Sequence, residues 1–325
     1  MHTLTGRGSV KLFAGNSHPS LASEIAEILD LPLAKREIVE FSNGNIFIKI
    51  NETVRDHDVF VIQTANDPVN NNLMELLFMI DTLRYSSPAR ITAVMPYFPY
   101  VRSDKKDQPR TSIGARLVAN LLETVGADRV ITLNLHSWQI QGFFRIPVDH
   151  VLADSIIIDH LRTRDLSNTV AVAPDAGGAK RVEKYAHMLH LPFVIMDKRR
   201  AANDDKSHIQ NIIGDARGKD AIIFDDEIST GGSVLGTARM LKAHGAEKIS
   251  AAVVHGVLCG DAVTRINSCP DISEVVCTNS VATPDKASGK VKIHSCAGVL
   301  AKAIQHIHNG DALTPIYEEY YYHTT

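Results

Sequence analysis

Several short runs in this chain are apolar and β-branched at nearly every position, among them Val59-Phe60-Val61-Ile62 and Ala221-Ile222-Ile223-Phe224. A strand with one wet face alternates apolar and polar residues. A run apolar throughout needs cover on both faces, which a parallel sheet flanked by helices provides. Nine strands are expected on this basis: Val10–Ala14, Asp58–Gln63, Arg90–Met95, Asp128–Asn134, Thr169–Ala173, Pro192–Met196, Asp220–Phe224, Lys248–His255 and Glu274–Cys277. Helical periods fall between them, at Leu21–Leu29, Ile113–Val125, Gly178–Leu189, Ser233–His244 and Ala297–His308. One more is expected where Asn72 and Glu75, at capping-box spacing, precede Leu76-Leu77-Phe78-Met79-Ile80. That helix is apolar on nearly every side and reads as deeply buried. Alternating strand and helix implies an α/β fold with mostly parallel sheets.

A length of 325 residues suits two domains. The boundary is expected near Ile146-Pro147-Val148-Asp149, giving similar halves at 1–148 and 149–325. The tail from about 309, with Tyr317, Tyr320, Tyr321 and Tyr322, either docks elsewhere or frays.

Lys and Arg total 34 against 37 Asp and Glu, so the chain lacks the basic excess of a nucleic-acid binder. Anionic small substrates remain compatible, since they need only local positive charge. The start, MHTLTGRGSVKLFAG, has no secretory pattern, and no apolar stretch is long enough to span a bilayer. A cytoplasmic protein that does not engage membranes is expected. Cys259, Cys269, Cys277 and Cys296 form no Cys-x-x-Cys pair and read as buried, reduced thiols.

The most informative stretch is Ala221-Ile222-Ile223-Phe224-Asp225-Asp226-Glu227-Ile228-Ser229-Thr230-Gly231-Gly232-Ser233. It reads as a buried strand, an acidic pair, a small-residue loop and a helix start. Amides at Thr230–Ser233, together with the Thr230 and Ser233 hydroxyls, favour a phosphate dianion at the helix N-terminus. Gly231 and Gly232 let the backbone come close to a ligand. Carboxylates beside a phosphate make sense if the ligand also carries vicinal hydroxyls, as ribose 5-phosphate does. This segment resembles the phosphoribosyl-binding loop of the phosphoribosyltransferase superfamily, in which the acidic pair contacts ribose hydroxyls and the loop holds the 5-phosphate. Ser229 stands where that pattern commonly has Asp.

Two further strand ends carry potential metal ligands, His136 in Leu133-Asn134-Leu135-His136-Ser137 and Asp175 in Pro174-Asp175-Ala176-Gly177-Gly178. A nucleotide-bound Mg²⁺ keeps water and phosphate oxygens, so one or two protein ligands suffice. The irregular segment from Pro96 to Arg110 is a candidate for stacking a base with its aromatic start and meeting phosphates with its basic residues. Met196–Lys206 reads as a mobile lid rich in cations. No Gly-x-x-x-x-Gly-Lys-Ser/Thr occurs, and no Gly-x-Gly-x-x-Gly follows a strand, so a nucleotide must be bound by another architecture.

Taken in order, these segments resemble the ribose-phosphate pyrophosphokinase (phosphoribosyl pyrophosphate synthetase) family from about Leu12 to Gly310. The strings that carry the resemblance include Asn72-Leu73-Met74-Glu75-Leu76-Leu77, Arg90–Phe98, Gln139–Phe144, Pro174–Gly178 and Asp197-Lys198-Arg199-Arg200. The resemblance implies two phosphoribosyltransferase-type domains, ATP on the N-terminal side and ribose 5-phosphate on the C-terminal side. It implies transfer of the ATP diphosphate to the sugar, with Mg²⁺ as cofactor. Lys198 and Arg200 match the catalytic lid cations, and Arg200 also counts with the ribose 5-phosphate residues Asp225, Asp226 and Ser229–Ser233. His136 and Asp175 match the metal site. Arg102 and Ser103 match an ATP-contacting pair. Phe41-Ser42-Asn43-Gly44-Asn45 matches a hairpin that reaches a neighbouring subunit's adenine in a homo-oligomer, typically a hexamer of dimers. Asn43, Asn45, Asn134 and Ser229 replace residues that are usually acidic, which marks a divergent branch. The competing readings are a phosphoribosyltransferase, which shares only the Asp225–Ser233 loop, and a catalytically silent regulatory relative.

Overall fold

All nine apolar runs form strands, and each main sheet has a parallel core. The computed structural model describes residues 8–200, 207–282 and 289–316, the strand residues 197–200 and 207–211 by backbone alone. The chain divides into two compact units, one reaching Leu152 and reclaiming Ser280–Ala282 and the stretch from Cys296, the other built on Ala153–Asn279.

The first unit contains β1 (Val10–Ala14), α1 (Pro19–Ile28), β2 (Arg36–Glu40), β3 (Ile46–Ile50), β4 (Asp58–Ile62), α2 (Val69–Arg84), β5 (Arg90–Met95), α3 (Gly114–Val125), β6 (Arg129–Leu133) and β7 (Val148–Val151). Its parallel sheet has the order β1-β4-β5-β6-β7, while β2 and β3 form a separate antiparallel hairpin. β4 and β5 are buried at every position, as runs without polar alternation require.

Two expectations about α2 are corrected. The helix starts at Val69 after Pro68, so Asn72 lies inside it and caps nothing. The Asn72 amide donates instead to the Asn66 carbonyl, and Glu75 accepts from Asn16 and Gln63. Nor is α2 buried all round: Leu76, Met79, Ile80 and Leu83 face the core, but Met74 and Phe78 are 47% and 44% exposed. A helix on the face of a sheet covers that sheet with one side only.

The second unit contains α4 (Asp154–Arg162), β8 (Thr169–Ala173), α5 (Ala179–Met188), β9 (Phe193–Arg200), β10 (Ser207–Ile213), β11 (Asp220–Ile228), α6 (Gly232–Ala243), β12 (Ile249–Gly256), α7 (Ala262–Ser268), β13 (Glu274–Thr278) and β14 (Val291–His294). Its seven strands have the order β10-β9-β8-β11-β12-β13-β14, all parallel except the β9–β10 pair. From β8 the chain passes through α5 to β9 on one side of the sheet. From β11 it passes through α6 to β12 on the other. β8 and β11 are neighbours, so the strand order reverses between them, and ligands of open α/β sheets sit outside the carboxyl ends at such a point.

The last helix, α8 (Ala297–Asn309), does not stay with the second half of the chain but packs against α1 in the first unit. Its end is pinned there by a buried ion pair. Arg90 donates to both Asp58 oxygens, at 2.8 and 2.5 Å, and to the Ile307 carbonyl, while His308 lies 2.9 Å from the same carboxylate. The tyrosines from Tyr317 onward lie outside the described residues.

Candidate functional site

β11 overruns its neighbour. β8 pairs with it only as far as Ile223, opposite Val172, while β12 accompanies it to Ile228. The acidic pair therefore lies on the strand itself, beyond the last β8 contact, and not in the loop that the sequence pattern marked out. Phe224 is buried against Tyr185, with ring centroids 5.1 Å apart, and this anchors the strand where the carboxylates begin.

Asp225 and Asp226 share one cation, Arg181 of α5, whose Nη2 lies 3.3 Å from Asp225 Oδ1 and 3.4 Å from Asp226 Oδ1. Asp226 is buried and Asp225 partly so. Burial, reinforced by the adjacent Asp226 carboxylate, pushes the Asp225 carboxyl up to about 8, with Arg181 opposing the shift. Below them Tyr185 donates to Asp154, and burial raises the Tyr185 phenol well above its ordinary value. Arg181 was not singled out from sequence, although Lys180-Arg181 opening a helix just after Asp175 was a visible signal.

The loop after β11 has a consistent polarity. Leu258 N–H donates to the Ile228 carbonyl at 2.9 Å, Cys259 N–H to Ser229 at 3.0 Å, and Arg265 Nη1 to Thr230 at 3.0 Å. Three successive peptide oxygens are thus held on one side. In a trans peptide the N–H points opposite its own C=O, so the amides of Ser229, Thr230 and Gly231 point the other way. None of these three amides has an acceptor among the described residues. Gly231 caps α6 at φ +77°, a left-handed conformation that favours glycine, and Thr230, Gly232 and Ser233 are exposed. Outward amides at the start of a twelve-residue helix make an anion seat, and the carboxylates lie just before it on the chain. The Ser229 hydroxyl contacts Cys259 Sγ at 3.6 Å, and Cys259 is exposed, unlike the other three cysteines.

Asp175 ends the other strand of the reversal point. It is exposed, and one of its oxygens caps the following turn by accepting from Gly178 N–H at 3.1 Å. His136, in the first unit, is exposed just after β6. The preceding Asn134 sits at φ +34°, a conformation that Asn tolerates better than most residues. Among the described residues no group of three or more His, Cys, Asp and Glu could hold a metal ion.

The remaining expected residues are placed as follows. Phe41–Asn45 form the exposed turn joining β2 and β3. Gly44 there is at φ +80°, and the Asn43 side chain accepts from Asn45 N–H at 3.1 Å. Arg102 is exposed on the loop between β5 and α3, but the Ser103 hydroxyl is engaged in accepting from Gly114 N–H at the start of α3. The aromatic start of that loop is not wholly available to a base, since Phe98 is buried edge-on to Phe144. Lys198 and Arg200 lie on β9 paired with Ile209 and Ser207 of β10, so strand order runs into the expected lid. Their side chains and residues 201–206 lie outside the described residues. Among the described residues no helix is long and apolar enough to cross a membrane.

Comparison with known proteins finds relatives that match along almost the whole chain. Residues 10–126 match the family model of the N-terminal domain of ribose phosphate pyrophosphokinase, and residues 202–318 match the phosphoribosyl synthetase-associated domain. A ribose-phosphate pyrophosphokinase of Caldanaerobacter subterraneus is 46% identical over 311 residues, 95% of this chain and 98% of the relative. One from Clostridium acetobutylicum is 45% identical over 317 residues, 96% and 98% of the two chains. The crystal structure of phosphoribosylpyrophosphate synthetase from Mycobacterium smegmatis superposes with a TM-score of 0.88 at 39% identity, covering 93% of this chain and all of that one. With fold and sequence in agreement over this span, the chain belongs to the ribose-phosphate pyrophosphokinase family and is an enzyme of that type.

Proposed function

We propose that this enzyme transfers the diphosphate of Mg-ATP to the anomeric hydroxyl of ribose 5-phosphate, releasing AMP and forming 5-phosphoribosyl 1-diphosphate. The observation that carries the reading is the pairing on β11 and its loop of two carboxylates with a run of outward amides. Carboxylates accept from vicinal sugar hydroxyls, and amides at a helix start bind the phosphate. Asp225 and Asp226 take the first role. Ser229, Thr230, Gly231, Gly232 and Ser233 take the second, joined by Arg200.

In the reaction the anomeric oxygen forms a bond to the β-phosphorus of ATP. The bond from that phosphorus to the α,β-bridging oxygen breaks, AMP leaves with the bridging oxygen, and the hydroxyl proton passes to solvent. No covalent enzyme intermediate is required. The rate comes from alignment and from cations on the spreading charge, the role of Lys198 and Arg200. A magnesium ion bound with the nucleotide would supply charge neutralisation on the phosphates and would need only one or two donors from the protein. Asp175 would offer it one exposed carboxylate, and His136 one imidazole nitrogen. Phe41, Asn43, Gly44, Asn45, Arg102 and Ser103 serve ATP. The reading extends to a cytoplasmic homo-oligomer, a hexamer of dimers, with no nucleic-acid or membrane partner.

The test is AMP formation by purified protein given ATP, ribose 5-phosphate and Mg²⁺. AMP should appear only when all three are present. Protein that makes no AMP but consumes 5-phosphoribosyl 1-diphosphate in the presence of a base would be a phosphoribosyltransferase instead.

A further inference from the structure

Of the three donors that hold the loop carbonyls, two are backbone amides and one is a side chain. Arg265, on α7, is 35 residues from Thr230 in sequence, and its Nη1 donates to the Thr230 carbonyl at 3.0 Å. That carbonyl and the N–H of buried Gly231 belong to the same peptide group, so the guanidinium grips one side of the peptide and the N–H points to the other. The neighbouring peptides are gripped by Leu258 and Cys259, in the turn that leads into α7. α7 itself is fixed by buried Ala262, Val263 and Ile266, and Ile266 lies under Gly231. The Arg265 side chain is 41% exposed and its other ionic contact, to Asp261, is long at 4.0 Å. The hydrogen bond to the loop is its principal engagement.

We infer that Arg265 is a positioning residue for the phosphate of the sugar substrate, acting through the Thr230–Gly231 peptide. It does so in two ways. It fixes the orientation of the peptide, so that Gly231 N–H is aligned before the anion arrives. A positive charge on the carbonyl oxygen also polarises the peptide and makes the opposite N–H a stronger donor, as charge-assisted bonds are. Gly231 makes this control necessary: a glycine at φ +77° resists rotation of the adjoining peptide least. The inference rests on the proposed seat for ribose 5-phosphate.

The test compares wild type with Arg265→Ala and Arg265→Lys, using ribose 5-phosphate and ATP as probes. Arg265→Ala should raise KM for ribose 5-phosphate about tenfold, about 1.4 kcal/mol, and leave KM for ATP within about twofold. Arg265→Lys should recover most of the loss, since an ammonium still donates and carries charge. Added guanidinium should restore part of it in Arg265→Ala. Melting temperatures, read alongside, separate positioning from packing. Equal KM for ribose 5-phosphate in all three proteins overturns the inference alone. So does a parallel rise in both KM values with a fall in melting temperature, the mark of a merely structural role. If Arg265→Ala does not fold, Arg265→Lys and Arg265→Gln carry the comparison, with Gln expected to keep the alignment but lose the polarising charge. Wild type that shows no calorimetric binding of ribose 5-phosphate overturns the seat itself, and this inference with it.

Discussion

Asp225→Asn should make the protein more stable and less able to hold the sugar, and the stability gain should depend on pH. Folding moves the Asp225 carboxyl from an ordinary value of 3.8 up to about 8, because burial and Asp226 penalise its charge more than Arg181 rewards it. The folded chain therefore holds a proton that the unfolded chain has released between those limits. The contribution of this group is fully present below the unfolded value and lost as pH rises through the folded one. A gap of about four pH units at about 1.4 kcal/mol each sets an upper bound of roughly 5–6 kcal/mol. Asp225 is 21% exposed and keeps Arg181 beside it, so about half of that, roughly 3 kcal/mol, is the working figure. An amide cannot ionise and escapes the loss. Thermal melts of both proteins at matched pH should show almost no advantage for the variant near pH 4. The advantage should grow to roughly 5–10 °C above pH 8. Ribose 5-phosphate binding, measured by calorimetry above pH 8 where the Asp225 carboxyl is ionised, should weaken about tenfold or more, the effect of losing a charged acceptor. A variant that is less stable, or whose advantage is the same at every pH, would refute the reasoning.

Four further substitutions carry predictions. Asp58→Ala leaves Arg90 buried without its carboxylate and frees the end of α8; it should cost about 3–5 kcal/mol, read as a lower urea midpoint. Gly231→Ala should raise KM for ribose 5-phosphate and cost about 1 kcal/mol or more through its positive φ, although Ile266 leaves room for a methyl group. Gly232→Ala, which meets only the Thr230 hydroxyl at 3.8 Å, should fold normally. Lys198→Ala should lower kcat far more than it changes KM for ATP, because its charge is needed chiefly in the transition state; an unchanged kcat removes Lys198 from the machinery.

The fold was legible because burial on both faces leaves its mark on every residue of a strand. β4, β5 and β11 announce themselves in this way. β2, β3, β7, β10 and β14 were not read as strands from the sequence. β2 and β3 form a small, partly exposed hairpin, β10 and β14 are edge strands, and all four mix polar with apolar residues. The return of α8 to the first unit depends on Asp58, Arg90 and His308 meeting across some 250 residues of chain, which no local pattern records. At the site, the Asp225–Ser233 string was readable because it is contiguous. Its supports were not: Arg181 lies 44 residues from Asp225 and Arg265 35 from Thr230. Phe98 was misjudged for a related reason. A loop that looks solvated in sequence places one residue in the core and uses another to cap a helix.

The central claim concerns where the sugar phosphate sits, and crystals grown with ribose 5-phosphate test it most directly. Its phosphate should lie within hydrogen-bonding distance of the amides from Thr230 to Ser233, with ring hydroxyls on Asp225 and Asp226. Density for the sugar anywhere else, with those amides turned only toward water, would contradict the account.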